Sequence, residues 1–154
     1  MIDTMSRHGL PQGVDGLEAY GMCELPANVL VADEFLAVFE GYSIGSNDLT
    51  QLVLGLDRDS ASVAHLFDER NSAVKRMLRQ AIGGAKRAGK PIGICGEAPS
   101  DYPGLAEWLV ECGIDSISLN PAAAIKTACV IARAAGRHER AVPPRIEMRS
   151  SIAD

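Results

Sequence analysis

From Glu18 onward, short apolar segments alternate with longer stretches whose apolar residues recur every three or four positions. EAYGMCEL, 18–25, reads as a first strand stopped by Pro26, and from about Asn28 to Phe39 the residues Val29, Leu30, Ala32, Phe35, Leu36 and Phe39 keep helical spacing. GYSIG, 41–45, is a second strand, and it leads into a long polar loop carrying Asn47, Asp48, Arg58 and Asp59. A helix is predicted over about 71–88, closed by Gly89, with a Gly83-Gly84 pair near its centre that a tight packing contact would explain. PIGICG, 91–96, is a third strand. The next helix, roughly Pro103 to Cys112, follows the cap-like Ser100-Asp101 and ends at Gly113. SISLN, 116–120, is a fourth strand, and Asn120-Pro121 forms the N-cap and first turn of a last helix that stops near Gly136. Residues 137–154 have no apolar periodicity and two adjacent prolines, so 1–136 is the expected folded unit and 137–154 an irregular or disordered tail.

Four successive strand-helix units predict an α/β fold of parallel strands joined by right-handed crossovers. Two architectures fit: an open doubly wound sheet, or half of an eight-stranded barrel. Both collect ligands at the carboxyl ends of their strands, where loops and helix N-termini converge.

Composition narrows the setting. With 154 residues, 47% hydrophobic and 23% charged, the chain is long enough for one ordinary domain with a real core. No apolar run approaches the roughly 18 residues of a membrane span, and MIDTMSRHGLPQG lacks a secretion layout, so the reading is a cytoplasmic protein without a membrane partner. A net charge of -5 and no sustained basic face argue against nucleic acid. Lys86, Arg87 and Lys90 cluster at a helix end, where they complement the helix dipole. Cys23, Cys95, Cys112 and Cys129 are too widely spaced for a zinc knuckle or an evident disulfide framework; Cys112 and Cys129 read as small core residues.

The predicted strand mouths hold Cys23 and Glu24, then Ser46, Asn47 and Asp48, then Cys95, Gly96 and Glu97, then Asn120. Each acid alone is an ordinary loop or cap residue. Their matching positions in consecutive units make a shared site the better reading: Glu24 and Asp48 can hold one Mg²⁺, an ion that takes oxygen ligands and keeps waters or substrate oxygens in its other positions. Cys95, between glycines, is either an inert buried thiol or a group that exchanges a proton with substrate carbon. Arg58 offers a planar fork for phosphate or carboxylate, though Asp57 and Asp59 could engage it in a loop ion pair. His8, His65 and His138 occupy no strand mouth.

MCELPAN (22–28), GYSIGSNDLTQLVLGLDRDS (41–60), FDERN (67–71), GICGEAPSDYP (93–103) and GIDSISLNP (113–121), in this order and spacing, resemble the carboxyl-terminal barrel of the phosphoenolpyruvate synthases, within the PEP-utilising enzyme family. The likeness runs from about His8 to Ala134. It implies a (β/α)₈ barrel that binds pyruvate or phosphoenolpyruvate with Mg²⁺, of which this chain holds strands five to eight. Residue by residue it implies Glu24 and Asp48 as metal ligands, Asn47 as the amide on the phosphoryl group, Arg58 in the phosphate pocket, and Cys95 as the thiol exchanging a proton with the methylene carbon. Ser46 and Gly96, beside them, complete the substrate-binding candidates. The implied chemistry is phosphoryl transfer from a phosphohistidine to pyruvate enolate, with ATP, water and pyruvate giving phosphoenolpyruvate, AMP and phosphate.

The family's ATP-binding and phosphohistidine domains, and the upstream strands that supply further arginines, have no counterpart here, nor does the tail after Gly136 in the family. Half a barrel leaves two open sheet edges and an uncovered apolar face, so the expectation is a homo-oligomer, a complementing barrel half, or a gene fragment inactive alone. A non-catalytic phosphoenolpyruvate and Mg²⁺ module, or a pyruvate-handling lyase, are the rival readings.

Overall fold

The computed structural model describes residues 2–141. Its elements run α1 (Ile2–Arg7), β1 (Tyr20–Cys23), α2 (Pro26–Leu30), α3 (Ala32–Leu36), β2 (Gly41–Ile44), α4 (Ser46–Leu54), a short 3-10 turn (Ala64–Leu66), α5 (Ser72–Arg87), β3 (Ile92–Ile94), α6 (Ala98–Asp101), α7 (Pro103–Glu111), β4 (Ser116–Ile117) and α8 (Pro121–Ala141). The four strands form one parallel sheet in the order β1-β2-β3-β4. A doubly wound sheet reverses its strand order at a switch point and buries both faces. Here the order never reverses and one face alone is packed.

Register decides which face that is. Gly21, Tyr42 and Ile92 share one row, and Cys23, Ile44, Ile94 and Ile117 share another. These residues meet Val29, Leu36, Leu49, Val74, Leu78 and Leu109 from the helices in a single core, each fully buried aliphatic side chain contributing about 1.5–3 kcal/mol. The alternating positions, Tyr20 and Met22 on β1, then Ser43, Gly93 and Ser116, form the opposite face, where Tyr20 is 44% and Met22 45% exposed. A shallow cavity of about 120 Å³ lies there, with Tyr20, Ser43, Gly93, Ser116 and Ser118 on its walls. The open face is therefore mixed rather than apolar as expected. Serines and glycines leave it far less costly to hydrate than a wall of aliphatic residues.

At the amino ends of the strands, carboxylates close the sheet. Glu40, just before β2, accepts the Ala19 N–H at 2.7 Å and the Gln12 amide; those two bonds hold its carboxyl below the ordinary range. Asp115, just before β4, accepts the Ile92 N–H at 2.9 Å and pairs with Lys86. Burial pushes Asp115 up, but Lys86 and the Ile92 N–H outweigh it and its carboxyl titrates low.

Several boundaries differ from the sequence reading for local reasons. The first strand is shorter than 18–25 because the Asn28 side chain accepts the N–H groups of Glu24 (3.3 Å) and Leu25 (2.9 Å), which would otherwise extend the ladder. The single helix expected from Asn28 to Phe39 is two short ones broken at Val31 (φ -114°, ψ 40°); apolar spacing continues across the break, so periodicity does not see it. Asn47 and Asp48 lie not in a polar loop but in the first turn of α4, where polar residues are at home. Ser100 and Asp101 belong to α6 rather than capping α7. The last helix continues past Gly136 as Pro121–Ala141, and 142–154, the rest of the segment expected to be an irregular tail, lie outside the described residues. Cys112 packs against the core as expected, but Cys129 is exposed: it sits on the side of α8 away from the buried Thr127 and Ala134.

The Gly83-Gly84 pair resolves into two different roles. A Cβ on Gly84 would stand 3.1 Å from the Ala32 Cβ, so this glycine lets α5 lie close on α3, whereas a Cβ on Gly83 meets only the Arg87 Nη1 at 3.5 Å. Gly83→Ala is expected to raise stability by about 0.5–1 kcal/mol through helix propensity. Gly84→Val is expected to lower it by about 1–3 kcal/mol through overpacking. Urea unfolding of the two variants checks the opposite signs.

Candidate active site at the carboxyl edge of the sheet

The parallel register brings the carboxyl ends of β1, β2 and β3 to one edge. Glu24 follows β1 directly. The Asn28 side chain fixes the turn that carries it, and Asn28 is itself held by the Tyr42 hydroxyl, which donates to the Asn28 carbonyl at 3.0 Å. Glu24 then reaches sideways: its Oε2 lies 2.9 Å from where a Cβ on Gly45 would stand, over the tip of β2. Gly45 is the N-cap residue of α4, and Asp48 stands in that helix's first turn. The two carboxylates predicted to work together thus share one junction.

Asp48 is half-exposed and faces Arg58, whose Nη2 lies 3.9 Å from Asp48 Oδ1. Arg58 therefore does not fold back onto Asp57 or Asp59, since Asp57 instead accepts the Asp59 N–H at 3.0 Å. With both side chains open to water, this pair contributes little to stability. It leaves the guanidinium available to an anion. Asn47, between Ser46 and Asp48, is half-buried at the same turn.

Cys95 follows β3 and is exposed, which removes the buried-thiol alternative of the sequence reading. Its N–H (3.0 Å) and its thiol (3.4 Å) both donate to the Ile44 carbonyl at the end of β2, which points the sulfur along the sheet edge. A Cβ on Gly96 would overlap the Ser46 Oγ, so only glycine permits this approach of the β3 and β2 tips. Two strand-mouth candidates do not join the group. Cys23 turns into the core, with no exposure, and burial pushes its thiol up to about 12. Asn120 caps α8, accepting the Ala123 N–H at 2.8 Å, while its own N–H donates to Ser100 Oγ.

Sequence reasoning singled out neither Asn28 nor Glu69. Asn28, in α2, is 4% exposed, and Glu69, in the loop before α5, is 6% exposed. Burial raises the Glu69 carboxyl above its ordinary value; the nearby Ser46 hydroxyl pulls it down, Asp101 and Glu97 push it up, and Arg58 pulls it down. A polar residue in a quoted motif, FDERN, was the available signal, but nothing in the string distinguishes the inward Glu69 from its neighbours.

Among the described residues no group of three or more His, Cys, Asp or Glu side chains forms a closed metal cage. Mg²⁺ does not require one, since one or two carboxylates with water and substrate oxygens suffice. Glu24 and Asp48, both reachable by solvent at one junction, are a donor set of that kind. No helix among the described residues is long and apolar enough to cross a membrane.

Comparison with known proteins agrees with the motifs. Residues 6–135 match the family model of the PEP-utilising enzyme PEP-binding domain. The chain is 67% identical over 132 residues to a phosphoenolpyruvate synthase of Synechocystis, covering 86% of this chain and 16% of that protein. Phosphoenolpyruvate synthases of Pseudomonas aeruginosa and Escherichia coli are 60% and 55% identical over 127 residues, 82% of this chain and 16% of theirs. The chain thus spans about one sixth of the length of these relatives. A solved HpcH/HpaI aldolase from Desulfitobacterium hafniense overlays 81% of this chain and 43% of its own at 21% identity and a TM-score of 0.49, too distant to argue from. On the family match and on relatives more than half identical across most of its length, this chain belongs to the PEP-binding domain family of the PEP-utilising enzymes.

Proposed function

We propose that this chain is the pyruvate- and phosphoenolpyruvate-binding portion of a phosphoenolpyruvate synthase, corresponding to strands five to eight of its (β/α)₈ barrel. The observation that carries the reading is that Glu24, Asn47, Asp48, Arg58 and Cys95, dispersed over 72 positions of sequence counted inclusively (95 - 24 + 1), stand on one edge of one parallel sheet. A sheet in unreversed order, with two open edges and one unpacked face, is also what half of a closed barrel would leave. The complementary strands and the ATP-binding and phosphohistidine portions belong to the remainder of the relatives' length.

In this reading Glu24 and Asp48 hold Mg²⁺, which when bound polarises the enolate oxygen of pyruvate and offsets phosphoryl charge. The chain's own groups do the rest. Arg58, already placed beside Asp48, donates to phosphoryl oxygens and balances charge that builds there during transfer from phosphohistidine. Asn47 donates its amide to the same group. The Cys95 Sγ, facing solvent along the edge, would as the thiolate take a proton from the pyruvate methyl carbon in the synthetic direction, becoming the thiol, and as the thiol return it to the methylene carbon in the reverse.

Two measurements test this. Oxalate mimics the enolate without the phosphoryl group, so Asp48→Ala should weaken Mg²⁺-dependent binding of both oxalate and phosphoenolpyruvate by at least about tenfold. Arg58→Ala should weaken phosphoenolpyruvate by about three- to tenfold while sparing oxalate, because only the former carries phosphate. Titration calorimetry showing unchanged binding by Asp48→Ala ends the metal-site reading. Separately, peptide mapping after alkylation should find Cys95 modified readily, slowed several-fold by Mg²⁺ with oxalate, and Cys23 unmodified until the chain unfolds. Equal Cys95 rates with and without oxalate would remove the thiol from the site.

A further inference from the structure

Two buried polar atoms at the carboxyl edge have no hydrogen-bond partner: the Ser46 Oγ and the Glu69 Oε1. Orphaned buried polar atoms are rare because each carries its full desolvation cost. These two are neighbours. Ser46 has no exposure and begins α4, immediately before Asn47 and Asp48; Glu69 lies 94% buried (100 - 6) in the loop before α5.

The loop is built to send Glu69 inward. On one side Asp68 accepts both the Arg70 N–H at 2.8 Å and the Arg70 Nε at 2.9 Å, which keeps the Asp68 carboxyl low. The Arg70 guanidinium lies 4.1 Å over the Tyr102 ring, tying the loop to the residue between α6 and α7. On the other side Asn71 caps α5 by accepting the Ala73 N–H at 2.9 Å. With both flanking residues committed outward, the one between them is directed to the sheet edge.

From this arrangement we infer that Glu69 is a positioning residue whose carboxyl anchors the Ser46 hydroxyl, and with it the first turn of α4, against Gly96. The Ser46 hydroxyl can donate to the carboxyl in either protonation state, and a protonated carboxyl can instead donate to the Ser46 Oγ, so a single bond in either direction satisfies both orphans. An ionised carboxyl in the same place is a buried charge facing Asp101 and Glu97 on and beside α6, with Arg58 opposing them. Burial and these two acids outweigh the Ser46 bond and Arg58, so the folded chain favours the protonated carboxyl. Gly96 supplies the other jaw, since any side chain there would displace Ser46. The anchor on Ser46 stands by itself; its importance for Asp48 rests on the phosphoenolpyruvate-site reading above.

The sign of the pH dependence follows. The carboxyl titrates above its ordinary value of 4.5 in the folded chain, so the stability it contributes is complete below 4.5 and is lost as pH rises through the raised value. In the metal-free chain, carbon-13 titration of the glutamate carboxyls should show Glu69 titrating last. Thermal unfolding of the wild type should fall across the same interval. Glu69→Gln, which cannot lose a proton yet can still pair with Ser46, should show no such fall, and Glu69→Ala should unfold at lower temperature than Glu69→Gln at every pH. In Mg²⁺ and oxalate titrations, the wild type should lose about three- to tenfold more affinity than Glu69→Gln over that interval. Glu69 titrating at or below 4.5, or Glu69→Gln keeping the wild-type pH profile of unfolding, overturns the anchor. Identical pH profiles of oxalate binding overturn its positioning role. If neither protein binds oxalate with Mg²⁺, the proposed function fails, while the carbon-13 and unfolding results still decide the anchor.

Discussion

The parallel ladder from β1 to β3 is the constraint on which the site depends. Its register pairs Cys23 with Ile44 and Ile44 with Ile94, so the residue after each strand emerges at one level of the same edge. The Ile44 carbonyl carries that alignment one step further by accepting both the Cys95 N–H and its thiol. A slip of one residue in either pairing would turn Met22 or Ser43 inward and bury a thioether or hydroxyl where Cys23 and Ile44 now pack. It would equally turn Glu24 away from Gly45. Core packing and site assembly are thus one requirement, met by the alternation of the two faces along three short strands in a fixed register.

Much of this was legible in the chain. The strands at 41–45 and 91–96, the helix at 71–88, the Asn120 cap and the close contact at the glycine pair all follow from spacing and local chemistry, and the structure keeps them with trimmed ends. That Glu24 and Asp48 face the same end of the sheet was also readable, because strand mouths of consecutive parallel units must converge, whereas nothing in the spacing set Arg58 beside Asp48. Other features were hidden for physical reasons. The helix starting at Ser46 looked like loop because its first turn is polar, and the break at Val31 was invisible because apolar spacing runs through it. Cys23 and Cys129 were misplaced by a single alternation, which the periodicity of two or 3.6 residues leaves uncertain at element ends. Nothing in a linear string marks Glu69 as buried, since that depends on how Asp68, Arg70 and Tyr102 fold the loop around it.

Glycine and polar burial act together at the edge. Gly96 allows the β3 tip to approach Ser46, and that approach is what closes water off from the Ser46 hydroxyl. Close packing and an electrostatically demanding interior are therefore the same event. Such spots cost stability and persist where a turn has to be held in one position.

The two ends of the sheet treat their acids in opposite ways. Glu40 and Asp115 accept backbone N–H groups and titrate low, whereas Glu24 and Asp48 stand at the other end with no backbone donor of their own among the described residues. In the proposed reading, durability and chemistry are lodged at opposite poles of the same strands. A lineage, or an engineer, can rewrite the amino pole to suit a hotter or colder habitat while leaving the reactive pole intact.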